Sequence, residues 1–144
     1  MMPDDTRCGW REVDHTADAC LEVWGPDLAS FLQAAARGFI ELMVDPATVQ
    51  RRRSRRMEVD EPDAETLVVS WLEEILFALE VHRLAPASVE VERADEWSAE
   101  GMLHGEPLDE EAHEIRTVVK AVTYHGLEVV REDGLLQARI IVDI

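Results

Sequence analysis

The sequence predicts an α+β fold, a single compact domain over residues 1–144 in which two amphipathic helices pack on a largely antiparallel sheet. Three observations lead to this expectation. Two stretches repeat apolar residues at helical spacing behind acidic capping residues, several shorter ones alternate apolar with polar residues, and neither repeat nor linker separates them. The length suits one domain, and 47% apolar with 31% charged residues is the balance of a chain that buries a core.

From Gly9 to Trp24 two alternating stretches read as a hairpin whose turn carries His15-Thr16-Ala17-Asp18. In its second strand Ala19, Leu21 and Val23 form the apolar face, with Asp18, Cys20, Glu22 and Trp24 opposite. Gly25-Pro26-Asp27 ends the strand, and Asp27 is positioned as an N-cap. Leu28, Phe31, Leu32, Ala35, Phe39, Leu42 and Met43 then recur at helical spacing, giving a first helix that stops before Asp45-Pro46. Residues 49–60 read as a strand with an Arg-rich exposed face. Glu61-Pro62-Asp63 opens a second helix, whose wide stripe of Leu67, Val68, Trp71, Leu72, Ile75, Leu76 and Leu79 makes it the more buried of the two. Strands are expected at Ser88 to Val91 and Trp97 to His104, followed by an acidic connection from Gly105 to Glu114. The chain finishes with Thr123 to Val130, a turn at Glu132-Asp133-Gly134 and a last strand. There Leu136, Ala138, Ile140, Val142 and Ile144 face one way, and Gln137, Arg139, Ile141 and Asp143 the other.

Charge excludes one class of function. Against 31 Asp plus Glu there are 14 Lys plus Arg, a net charge of −17. Phosphate-driven affinity for nucleic acid comes mostly from cationic side chains displacing counterions, so strong direct nucleic-acid binding is not expected. A metal cation or a basic protein partner fits better. The single lysine, Lys120, stands out in a chain that otherwise uses Arg. The Arg51 to Arg56 run is flanked by Glu58, Asp60, Glu61, Asp63 and Glu65 and reads as a strand face balanced by its neighbours. Met1-Met2-Pro3-Asp4-Asp5 is acidic where a secretory leader would be basic, and no apolar run approaches the ~20 residues of a membrane span. A cytoplasmic, reduced setting is therefore expected, with Cys8 and Cys20 as packing residues and no membrane association.

Three constellations can carry chemistry. Asp14-His15-Thr16-Ala17-Asp18 sets two carboxylates and an imidazole at a strand end, which suits a hard cation such as Ca²⁺ or Mg²⁺ and equally a turn closed by Asp and Thr hydrogen bonds. Val142-Asp143-Ile144 brings an Asp side chain within one residue of the α-carboxylate of Ile144. Neighbouring carboxylates repel, and a divalent cation is one way to neutralise them; alternatively Ile144 completes the core and Asp143 is solvated. In Glu114 to Gly126, Lys120 and His125 are available for phosphate binding or acid–base work, or as a solvated lysine and a packed histidine. No P-loop, nucleophile elbow or HExxH accompanies them.

Taken together, these segments resemble the archease family. Asp14-His15-Thr16-Ala17-Asp18 is similar to the family's first signature, Lys120-Ala121-Val122-Thr123-Tyr124-His125 to its second, and Asp143-Ile144 to its characteristic end. Gly105-Glu106 and Trp71-Leu72-Glu73-Glu74-Ile75-Leu76 also match. The resemblance implies an activator with no catalytic residues of its own: archeases assist the RtcB-type RNA ligase, a GTP- and metal-dependent enzyme of tRNA splicing, by promoting its guanylylation and its multiple turnover. It also implies a metal site of Asp18, Asp143 and the terminal carboxylate of Ile144, with calcium the expected ion; our own expectation adds Lys120 as assisting activation, with Asp14, His15 and His125 around the site. Calcium usually takes about 6–8 oxygens, so water or a partner's groups would complete such a sphere. Two rivals are a small metal-dependent phosphoester hydrolase using Asp14, His15, Asp18 and Asp143, and an acidic, chaperone-like module that binds basic proteins.

Overall fold

The computed structural model describes residues 7–13, 18–96 and 98–144. Along the chain run β1 (Gly9–Val13), β2 (Ala19–Gly25), α1 (Leu28–Met43), β3 (Arg53–Asp60), α2 (Ala64–Glu80), β4 (Leu84–Ala94), β5 (Ser98–Pro107), β6 (Ala121–Val122), β7 (Val130–Glu132) and β8 (Leu135–Asp143). The α+β class holds, with two helices on antiparallel strands.

Where one sheet is the expectation, there are two. A five-stranded sheet has the order β1-β2-β8-β6 with β7 also paired to β8, and a three-stranded sheet has the order β3-β5-β4. Alternation fixes which face of a strand is buried but not which strand lies beside it, so this division follows from pairing that periodicity does not encode.

Both helices start at the expected caps. The Asp27 carboxylate accepts from the Ser30 amide at 2.8 Å, and that of Asp63 accepts from the Thr66 amide at 2.7 Å and its hydroxyl at 2.6 Å. These bonds satisfy amides that have no partner within the first helical turn. The apolar stripes of α1 and α2 join Leu21, Val23, Ile140 and Val142 from the larger sheet and Met57, Val89 and Leu103 from the smaller in one core, with Trp71 at its most buried point. Gln33 of α1 ties that core to β4, donating to the Val89 carbonyl and accepting from the Val91 amide.

Strand β4 has register shifts between Pro86 and Ser88 and between Val91 and Arg93. Pro86 is tolerated because β4 is an edge strand. The partner strand must be glycine at the same places: a side chain at Gly105 or Gly101 would overlap the carbonyl oxygen of Ala85 or Glu90.

Several boundaries differ from expectation. Residues 49–52 precede the strand, since Asp45 caps a short 3-10 helix at Pro46–Thr48 and Val49 buries its side chain at the end of it. Residues 123–129 are a turn, not a strand, with Gly126 at φ +64° and the Leu127 amide bonded to the Tyr124 carbonyl. The Asp133-Gly134 turn stands as expected, both residues having positive φ and joining β7 to β8 by a two-residue loop. Cys20 is on the outer face yet buried between Val13 and Ile141, and Cys8 and Cys20 are not joined in a disulfide. Of the Arg51 to Arg56 run, Arg56 pairs with Glu58 beside it and with Glu92 and Glu100 across the sheet, and Arg52, just before β3, pairs with Glu106.

Candidate functional site

Ala19 of β2 pairs with Val142 of β8, so the next antiparallel step sets Asp18 opposite Asp143. On the other side of β8, Ala121 pairs with Asp143, and the Lys120 amide donates to the Asp143 carbonyl at 2.8 Å. One more step sets Lys120 opposite Ile144. The ends of β2, β8 and β6 thus bring Asp18, Asp143, Ile144 and Lys120 together, although more than a hundred residues of chain separate the first from the rest.

Alternation adds a distinction. Ala19, Val142 and Val122 point into the core, so Asp18, Asp143 and Ala121 belong to the outer face. Lys120 has the inward parity at the end of the sheet, and there it lines an open groove of about 340 Å³ with Glu73, Glu74, Leu76, Phe77, Glu80 and Ala121. Ile144 is 40% exposed and follows the last paired residue, so it does not complete the core.

Directly opposed side chains in an antiparallel pair have their Cβ atoms roughly 5 Å apart, and like charges there are unfavourable. Asp18, Asp143 and an Ile144 carboxylate are a hard, anionic donor set of the kind that suits a calcium-like ion. The residues therefore fit the group. Among the described residues no three His, Cys, Asp or Glu side chains form a metal cluster. Asp14 and His15 lie outside the described residues. His125 is exposed in the turn after β6, where its amide donates to the Thr123 hydroxyl at 3.3 Å; it is not bonded to the carboxylates.

Two features beside this end were not singled out by sequence. The acidic connection is bolted down by His113, which is 3% exposed. Its Nδ1 accepts from the Asp109 amide at 3.0 Å, so its Nε2 carries the proton donated to Glu106 at 2.7 Å. That bond holds the Glu106 carboxyl below the usual carboxylate range. Further along, the Arg116 amide donates to the Met43 carbonyl, and its guanidinium pairs with Glu41 and Asp45, fixing the segment that leads to Lys120. The spacing of Glu106, Asp109 and His113 was the available signal. The second feature is a concentration of acid on α2. Burial and then the Glu61 carboxylate push the Glu73 carboxyl up, while burial followed by Glu73, Glu61 and Asp63 pushes up the Tyr124 hydroxyl.

Comparison with known proteins finds similarity over nearly the whole chain. The sequence model described as "Archease protein family (MTH1598/TM1083)" matches residues 10–144. The chain is 36% identical over 138 residues to a protein archease of Methanopyrus kandleri, covering 94% of this chain and 99% of that one. To a protein archease of Pyrococcus furiosus it is 31% identical over 139 residues, covering 94% and 98%. The solution structure of protein 1598 of Methanobacterium thermoautotrophicum superposes with a TM-score of 0.78 at 35% identity, covering 94% and 99%. A Thermotoga maritima crystal structure, described as an archease and possible chaperone, gives 0.69 at 17% identity, covering 93% and 96%, a likeness of fold alone.

Proposed function

Because this chain belongs to the archease family, we propose that it is a cytoplasmic protein activator of an RtcB-type RNA ligase, without catalytic turnover of its own. The observation that carries the reading is the shared strand end at which Asp18, Asp143 and Ile144 meet. Asp18, Asp143 and the terminal carboxylate of Ile144 would hold a divalent cation, calcium being the expected one. Bound there, it supplies positive charge and open coordination positions for phosphate oxygens. Lys120 contributes an exposed ammonium at the same strand end, on the opposite face of the sheet from Asp18 and Asp143, suited to meeting a nucleotide phosphate while the ligase is guanylylated. The acidic surface leaves RNA to the ligase and favours a basic partner.

The test is a multiple-turnover RNA ligation assay with the host's ligase, read together with ligase guanylylation. The protein should raise both. Asp18→Asn, Asp143→Asn and a one-residue extension beyond Ile144 should each abolish the stimulation, and Lys120→Ala should reduce it. Stimulation that survives all three site changes refutes the metal-site reading. Turnover of a phosphoester panel by the protein alone would favour a hydrolase, and salt-sensitive capture of many basic proteins, indifferent to Asp18→Asn, a chaperone-like module.

A further inference from the structure

The large hydrophobic side chains that the described residues leave exposed are Phe77, Val81, Ile115, Val118, Tyr124 and Ile144. They come from α2, from the connection after β5 and from the strand ends beside the candidate site. Two grooves join three of them, Phe77, Ile115 and Val118, along one edge of α2. The first, of about 160 Å³, runs between α2 and Ile115, Val118 and Val119; the second, of about 340 Å³, runs from Phe77 to Lys120. Leu76 and Glu80 line both. The patch thus continues to the strand end where Lys120 stands opposite Ile144. Phe77 at 46% and Val118 at 76% exposure give water an apolar surface that the fold does nothing to cover.

The rim of this patch is mainly acidic, with Lys120 and Arg83 as the cations that line its grooves. Helix α2 carries Glu65, Glu73, Glu74 and Glu80 and no Lys or Arg. None of Glu73, Glu74 and Glu80 forms an ion pair, whereas Glu58, Glu92, Glu100 and Glu106 on the smaller sheet are all paired with Arg. Carboxylates outside any ion pair, beside an exposed apolar strip, match a partner surface with Lys and Arg around apolar side chains. That is the usual plan of an interface, an apolar centre with a polar rim.

We propose that the α2 edge, from Val118 across Phe77 to Lys120, is the surface on which the ligase docks, through a segment of apolar side chains bracketed by Lys and Arg. The proposal rests on the activator reading above and names the contact that would bring the Asp18 and Asp143 end to the ligase. The acids steer the encounter, so association should slow as salt screens them, and the apolar strip holds the complex.

The experiment measures binding of the full chain to the host's ligase, with ligation stimulation read in parallel. Because Phe77 and Val118 are already exposed, F77A/V118A should melt within a few degrees of the original protein. It should bind about tenfold or more weakly, mainly through faster dissociation. E73K/E74K should slow association and flatten its salt dependence, while R55E on the smaller sheet should change neither. If the original protein stimulates the ligase and both double variants bind as it does, the docking surface is refuted and the activator reading stands. If the original protein neither binds nor stimulates, both fall. If F77A/V118A instead dissolves a dimer of this chain and leaves ligase binding intact, the occupant is a second copy and the proposal is overturned.

Discussion

His113→Ala tests the bolt on the acidic connection. The imidazole is buried, donates to a carboxylate from Nε2 and accepts a backbone amide at Nδ1. A hydrogen bond to a charged group contributes about 1.5–3 kcal/mol and a neutral one about 0.5–1.5 kcal/mol. Losing both, with a cavity left where the ring was, should cost about 3 kcal/mol. For a chain of this size that corresponds to a melting temperature lower by about 10 °C, taking roughly 3 °C per kcal/mol. Urea unfolding monitored by circular dichroism gives the free energy, and native-state hydrogen exchange gives its location. Amides from Asp109 to Val119 should lose protection before those of β2 and β8. A loss below about 1 kcal/mol, or protection falling evenly through the molecule, would refute the assignment of His113 as the fastening of this segment.

Four other outcomes are expected. Glu106→Gln keeps an acceptor for the His113 bond but removes its negative charge; because that carboxyl titrates below its ordinary value, the stabilisation its charge supplies is complete above about pH 4–5 and disappears as pH falls through the lowered value. Melting curves should therefore separate the variant from the original protein at pH 7 and converge as acid titrates the carboxyl below its ordinary range. Calcium should raise the melting temperature, by about 2.7 kcal/mol of added stability at a hundredfold excess over the dissociation constant; a chelator should reverse the rise, and Asp143→Asn should show none. Asp63→Ala should cost about 1 kcal/mol through the lost cap of α2, measurable by denaturant unfolding. Gly105→Ala forces a methyl group onto the Ala85 carbonyl and should cost more than the ~1 kcal/mol of an average substitution, visible as poor soluble yield and a depressed melt.

Local chemistry was the part of the fold most readable from sequence. Asp27 and Asp63 announce their helices because an acidic side chain before an apolar-periodic run has one common use. Leu136 through Val142 announce a half-buried strand by parity alone, and Asp133-Gly134 announces its turn by the positive φ that both residues accept. Partnership was not readable in the same way. That β2 lies beside β8, and that β3, β5 and β4 form a sheet of their own, depends on contacts far apart in sequence. Thr123 to Val130 reads as a strand because its apolar residues alternate, yet Gly126 takes a conformation that turns the chain. The candidate site divides along the same line. Asp18, Asp143 and Ile144 were nameable from their motifs, whereas their convergence depends on the register of β2 and β8. Phe77 left a signal of a different kind, a large apolar side chain off the buried stripe of its helix.

The pairing of β2 with β8 also sets an order of events. Strand β2 emerges early in synthesis, but the edge it offers is filled by residues more than a hundred positions later. Until then Leu21 and Val23 flank an open row of amides and carbonyls, the kind of edge that recruits foreign strands. Closing so long a loop is slow compared with local hairpin formation, which places this chain among the slower folders of its size. The candidate site and the completion of the sheet are therefore one kinetic event: the strand that brings Asp143 to Asp18 is also the one that closes the sheet, so a molecule with both carboxylates in place is one whose folding has finished.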